Sequence, residues 1–382
     1  MSETIQIRRI VIRQCRRPVP VVSRYSTGEQ DPAEICVLFV SVSDGRETGF
    51  GECVPTSLYY PPGHIGRSGI DEWGELLRMA EALVGQDARR LGRLIPDWAR
   101  AHDYNSIVDT LDFALHDLVG RRLGVPVPVL LGGMNRPWVW GIPVIFTASP
   151  DEMAERASAL HRTWGFRYFK LKPIGNAEAD AETLRKIRER TAPNVRFYLD
   201  ANYALRMDVG QAIAYINSLV PLGLEVYEDP IDTDFAGYRH LQERISARLM
   251  LDEKVRSPEK VLEVLASRAC RQINIHANWA GGFQAGLGKA ALAAAGGVPT
   301  MVGGTLYFGP GAAAYQAMAS VLPLEAPCEQ MFSEILFGMK SLVSDPYEVR
   351  DGKIFIRDAP GLGVTPDLEA IDGLTVARRE LA

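Results

Sequence analysis

The chain reads as an α/β protein, a closed (β/α) TIM-type barrel preceded by an α+β unit. Three observations carry this reading. From Trp138 onward, seven short apolar strand candidates alternate with amphipathic helical stretches, the pattern of a parallel sheet. Acidic residues recur at the ends of these strands every 24 to 28 residues, near the roughly 31 residues per unit of an eight-unit barrel of roughly 250 residues. No GxGxxG follows a strand to support a doubly wound dinucleotide-binding sheet.

Taken in order, residues 4 to 50 are strand-like: IQIRRIVIR, EICVLFVSVSD and, after a DGRETG turn, GFGECV. Two loops interrupt this unit, PVPVVSRYSTGEQDPAE with Tyr25 and VPTSLYYPPGHIGRSG with Tyr59, Tyr60 and His64. Loops of this kind often carry binding residues. Helical periodicity then runs from Asp71 to Gly124, with the glycine placed as a stop after SIVDTLDFALHDLVGRRL. The barrel strands follow as WVWGIPVIFTA, RYFKLK, VRFYLDA, LEVYEDP, ARLMLDE, RQINIH and VPTMVG. The end, DPYEVRDGKIFIRDAPGLGV, returns to strands and turns and is expected to pack back on the N-terminal unit. These textures divide the 382 residues into 1–132, 133–340 and 341–382.

Composition narrows the function. Hydrophobic residues at 47% and charged residues at 23% are those of an ordinary soluble domain. A net charge of -5 without a basic run offers no footprint for nucleic acid. Charges break every apolar run of the first twenty residues, so neither a signal peptide nor a membrane span is expected, and the location expected is the cytoplasm. Five scattered cysteines without CxxC spacing read as reduced thiols.

The chemistry concentrates at strand ends. In YFKLKP, Lys170 and Lys172 share one face of a strand. Alone this reads as a solvated basic edge. Asp200, Glu228 and Asp252 then follow at steps of 28, 28 and 24 residues, which places three carboxylates on neighbouring strands at one end of the barrel. A strand-end cap would account for any one of them. Three together in one mouth would be costly without a cation, and a hard divalent ion with oxygen ligands resolves this, Mg²⁺ first and Mn²⁺ second. A metal beside lysines suits removal of a proton α to a carboxylate, since the cation stabilises the enediolate that results. Lys172 is the expected base, with Lys170 the like-charged neighbour that presses it toward its neutral form. The expected substrate is a small-molecule carboxylate.

Beyond these, KLK at Lys170 to Lys172, DAN at Asp200 to Asn202, EDP at Glu228 to Pro230 and DE at Asp252 and Glu253 are joined by ALHDLVGRRLGVPVPVLLGG, the pair Gly281 and Gly282, and RDGKIFIRDAPGLGV. Over nearly its whole length the chain resembles the enolase superfamily, in its muconate-lactonizing (muconate cycloisomerase) branch. The resemblance implies an N-terminal α+β capping domain completed by the C-terminal segment, whose Tyr25 and Tyr59–His64 loops close over the barrel mouth. It also implies Asp200, Glu228 and Asp252 as metal ligands, Lys172 as a catalytic acid/base and assembly as a homo-oligomer.

The chain departs from the branch in three places. The branch carries a second lysine five residues before the glycine pair, and here that position is His276. A histidine there can act as an acid/base or a hydrogen-bond donor, or it can merely shape the pocket. Tyr307 stands where racemase-like members usually carry an acid, and Lys254 replaces a small residue. Glu329 in PCEQMF falls near an acid on the last strand of some relatives and is kept as a candidate, with Asn202 and Tyr307, for substrate contact. His102, His116, His161 and His240 are expected to be structural, and Trp140, Trp164 and Trp279 to pack, although Trp279 follows the His276 strand and could line the pocket. The expected activity is an isomerase (cycloisomerase, racemase or epimerase), with a dehydratase of a hydroxy or sugar acid as the alternative and a non-catalytic metal-binding relative as the third reading.

Overall fold

The computed structural model describes residues 4–19, 26, 28, 34–59, 67–276, 279–304, 306–323, 326–330, 333–344 and 347–382, and the side chains of all of these except residues 58, 59, 91, 93, 94 and 330. Tyr25, Tyr60 and His64, and the side chain of Tyr59, therefore lie outside what is described.

Strands β1 (Arg9–Pro18), β2 (Glu34–Ser43) and β3 (Thr48–Cys53) form an antiparallel sheet. Its buried face, with Ile10, Ile12, Val40 and Val42, packs against helices Glu72–Leu83 and Ser106–Leu123. The second of these is capped by the Asn105 side chain at its start and by Gly124, at φ 69°, at its end. Gly49 and Gly51 let β3 lie on this helix, because a Cβ on either would fall about 2 Å from a helix carbonyl.

The barrel strands are β4 (Trp138–Ile145), β5 (Tyr168–Leu171), β6 (Arg196–Asp200), β7 (Leu224–Glu228), β8 (Arg248–Leu251), β9 (Gln272–Ile275), β10 (Thr300–Val302) and β11 (Cys328–Gln330). All neighbours are parallel, and β11 pairs with β4 at Cys328↔Gly141 to close the ring. The barrel and its N-terminal capping domain are both present. Seven strands were foreseen; the eighth, β11, is Cys-Glu-Gln, and with two polar residues in three it makes no apolar run.

The C-terminal segment divides between the two units. Strands β12 (Val349–Arg350) and β13 (Lys353–Phe355) extend the barrel sheet antiparallel to β4, and only β14 (Thr375–Leu381) joins the N-terminal sheet, against β1. Among the described residues no helix is long and apolar enough to cross a membrane.

Buried carboxylates of the capping domain grip the starts of two barrel helices. Glu52 on β3 accepts from the backbone N–H groups of Phe308, Gly309 and Gly311 at 2.7, 2.8 and 3.0 Å. Asp109 accepts from Gly282 N–H, and Asp112 from Phe283 N–H at 2.6 Å. Helix N-termini leave such donors unpaired and carry partial positive charge, so an acid is well placed there. The grip holds the loops after β9 and β10 against the cap.

Candidate active site

Alternation along the strands decides which side chains enter the barrel. On β5, Phe169 and Leu171 turn outward into the core beneath the helices, while Lys170, and Lys172 just beyond the strand's end, turn inward and are 1% and 5% exposed. Tyr198, Val226 and Met250, each two residues before a strand-end acid, form an apolar floor with Ile142 and Met301. Asp200, Glu228 and Asp252 lie one step above this floor, buried, with Asp200 and Glu228 directly paired in register.

The carboxylates converge on the lysines. Lys170 Nζ lies 3.0 Å from Asp200 Oδ2, 2.7 Å from Glu228 Oε2 and 3.2 Å from Glu329 Oε2. Lys172 Nζ lies 2.5 Å from Asp200 Oδ2 and donates to Asn202 Oδ1 at 2.6 Å. Asn202 is placed by a positive φ of 44° and by its own amide, which donates to Glu253 Oε1 at 3.0 Å. Across the ring, Asn274 Nδ2 bridges Glu228 Oε1 at 2.8 Å and Asp252 Oδ2 at 3.3 Å. Trp279 Nε1–H donates to Asp252 Oδ1 at 3.0 Å.

These contacts set the charge states. Burial works against the Lys170 ammonium, yet Asp200, Glu228, Glu329 and Asp252 outweigh it and hold the group well above its ordinary value. Burial likewise opposes the Asp200 carboxylate, but two ammonium groups keep it well below the usual range. Glu228 has only a share of Lys170, and burial with the charge of Asp200 pushes it up to about 7. Burial, then Glu253 and Glu228, raise Asp252 well above its ordinary value.

Asp200, Glu228, Asp252, Glu253 and Glu329 thus outnumber the two lysines at the mouth, and a divalent cation would relieve the crowding of carboxylates that raises Glu228 and Asp252. The donors are hard oxygens, and Glu228 Oε2 lacks a well-aligned hydrogen bond despite its ion pair. The residues therefore fit a Mg²⁺-type ion. They are spread around the Lys170 ammonium, and among the described residues no group of three or more is drawn together as a ready-made cage.

His276 follows β9, four strands from β5 in either direction around a ring of eight, so it faces the lysine strand across the mouth. It is buried, stacked on Trp279 with ring centroids 4.5 Å apart, and held well below its ordinary pKa by burial and by Lys170 and Lys172. The imidazole is neutral at neutral pH.

The structure brings together Lys170, Lys172, Asp200, Glu228, Asp252, Asn202 and Glu329, with His276 opposite. It does not bring in Tyr307 or Lys254. Tyr307 packs on Tyr315, centroids 5.2 Å apart, toward the capping domain, where Tyr315 bonds Asp109. Lys254 turns outward to Asp232 at 2.6 Å and Thr233 O at 2.5 Å. The four histidines expected to be structural bond nearby helix or loop groups. Sequence reading missed Asn274 as a site residue, and it placed Trp279 only as a packing residue that could line the pocket. Asn274 was within reach, lying two residues before His276 on the same strand face.

The comparisons with known proteins agree with this architecture. Residues 7–132 match the family described as mandelate racemase / muconate lactonizing enzyme, N-terminal domain, and residues 152–371 match the enolase C-terminal domain-like family. Muconate cycloisomerase 1 of Rhodococcus opacus is 28% identical over 360 residues, 92% of this chain and 94% of that one. Cis-3-hydroxy-L-proline dehydratase of Roseibium aggregatum is 26% identical over 367 residues, 93% and 95% of the two chains. A dipeptide epimerase from Cytophaga hutchinsonii, solved with Mg and the dipeptide D-Ala-L-Val, shares the fold at a TM-score of 0.84 and 21% identity, over 99% of this chain and 100% of that one. The chain belongs to the mandelate racemase / muconate lactonizing enzyme family of the enolase superfamily, and it is an enzyme.

Proposed function

We propose that the enzyme removes the proton α to the carboxylate of a small-molecule acid, with Lys172 as the base, and that the outcome is isomerisation. The observation that carries this reading is the placement of Lys172 Nζ, fixed by Asp200 and Asn202 and facing His276 from the opposite side of a carboxylate-lined mouth. Asp200, Glu228 and Asp252 would hold Mg²⁺, or Mn²⁺, which when bound supplies Lewis-acid stabilisation to the charge developing on the substrate carboxylate.

The remaining work falls to the chain's own groups. Lys172 Nζ, in its neutral form, takes the α-proton and becomes an ammonium while the C–H electron pair moves into the enediolate; returning a proton at a different position or face completes an isomerisation and restores the neutral base. Lys170 holds Asp200, Glu228 and Glu329 in place and contributes fixed positive charge beside the developing anion. Burial of the whole cluster excludes water and strengthens these interactions.

A second reading is β-elimination of water. It is favoured by His276 in place of the expected lysine, since a neutral imidazole opposite a single base suits a hydrogen bond to a leaving hydroxyl. A relative named as a dehydratase lends it support.

Incubating a broad panel of carboxylic acids with enzyme and Mg²⁺ in deuterated water tests both. Uptake of deuterium at the α-carbon with substrate mass otherwise retained supports the isomerase, whereas loss of water supports the lyase. Neither exchange nor loss of water with any acid, in wild type and Lys172→Ala alike, would overturn the assignment of Lys172.

A further inference from the structure

Trp279 is buried immediately beyond β9 and engages four neighbours. Its indole N–H donates to Asp252 Oδ1 at 3.0 Å, and its ring stacks on His276 at 4.5 Å with an interplanar angle of 21°. The Arg256 guanidinium lies over the ring at 4.6 Å, and the Trp279 carbonyl accepts from Lys289 Nζ at 2.8 Å. Lys289 is itself buried and donates a second time, to Arg256 O at 2.9 Å. Its ammonium thus ties the loop after β8 to the loop after β9.

We infer that Trp279 is a positioning residue that locks the Asp252 carboxylate and the His276 imidazole to each other, with Lys289 as the clamp on its backbone. The physical basis lies in the donor inventory. An indole N–H can only donate, so it fixes Asp252 Oδ1 as an acceptor and sets the rotation of the carboxylate. The other oxygen, Oδ2, is thereby turned toward Asn274 and Glu228, the direction in which a cation would sit. The same indole is the stacking platform of His276, so displacement of one group is felt by the other. A buried ammonium needs acceptors, and the two carbonyls it takes here come from the two loops that carry Arg256 and Trp279. The role of Asp252 in this inference rests on the metal-binding reading above.

The test is Mg²⁺ titration of the full chain by calorimetry, for wild type, Asp200→Ala and Trp279→Phe, together with the indole N–H signals in ¹H–¹⁵N spectra. Groups that hydrogen bond a ligating side chain typically contribute about 10- to 100-fold in metal affinity. Trp279→Phe should therefore bind Mg²⁺ about 10- to 100-fold more weakly, and the Trp279 indole signal of wild type should move on addition of Mg²⁺. That signal is assigned by its loss in Trp279→Phe or, should that chain not fold, by its displacement in Asp252→Asn. Saturable binding in wild type, lost in Asp200→Ala but unchanged in Trp279→Phe, overturns the inference and leaves the metal site standing. An indole signal unmoved by saturating Mg²⁺ in wild type overturns it as well. Absence of any saturable binding in wild type instead refutes the metal reading, and the inference falls with it.

Discussion

Replacing Lys170 by Met removes the cation that Asp200, Glu228 and Glu329 share at 3.0, 2.7 and 3.2 Å. At an effective dielectric constant of about 20, each contact represents about 5–6 kcal/mol of gross attraction. Most of this is offset by the cost of burying the ammonium, and removing one partner of a buried ion pair typically costs about 3–5 kcal/mol net. We expect that loss for Lys170→Met at pH 8 without metal. The orphaned carboxylates can escape by binding protons, which the unfolded chain, with ordinary carboxylates near pKa 4, does not hold at pH 5 to 7. The folded variant therefore binds more protons than its unfolded state, and its deficit should shrink as pH falls toward 5. Mg²⁺ should narrow the deficit at pH 8 by replacing the missing charge. Urea denaturation followed by circular dichroism, at pH 5 and 8 with and without Mg²⁺, provides the measurement. Equal stability of variant and wild type at pH 8, or a deficit that grows on acidification, would refute the shared-cation account.

Three further outcomes follow from the same geometry. Burial pushes Glu52 up to about 7 against the pull of three backbone donors; a folded value above the unfolded 4.5 means that its share of stability is whole below pH 4.5 and lost as pH rises through 7, by at most about 3 kcal/mol. Urea midpoints should show the advantage of wild type over Glu52→Gln narrowing from pH 5 to 7.5, and a constant difference would contradict this. Gly281 has φ 76°, and an added Cβ would lie 2.6 Å from Tyr104 Cδ1, so Gly281→Ala should lose about 1–3 kcal/mol or more from backbone strain alone; an unchanged melting curve would exclude that strain. Lys254→Ala should change stability by no more than about 1 kcal/mol, because its partner Asp232 is exposed, and should leave Mg²⁺ affinity intact; a weakened metal site in calorimetry would show instead that the ammonium serves the mouth.

Much of the barrel was legible because its signal is local. Apolar runs such as VRFYL and LEVYE are buried on both faces, and period-two alternation already placed Lys170 and Lys172 on one side. The spacing of Asp200, Glu228 and Asp252 carried the site for the same reason: one βα unit has a nearly constant length, so strand ends recur regularly along the chain. Sequence alone thus determined the fold class, the strand ends that matter and the substitution of His276 for a lysine.

Other features were decided only when distant segments met. β11 is three residues long and becomes a strand because it closes the ring against β4, and β14 joins β1 although more than three hundred residues separate them. Lys254 directly follows the strand-end acids Asp252 and Glu253, yet Asp232 and the rings of Tyr203 and Tyr238 draw it away from the mouth. Tyr307 was taken toward Tyr315 by packing against the cap. The bond from Trp279 to Asp252 joins two loops that share no pattern in sequence. Such contacts depend on where strands stand around the ring, and a one-dimensional pattern records which face a side chain takes but not which partner waits across the barrel.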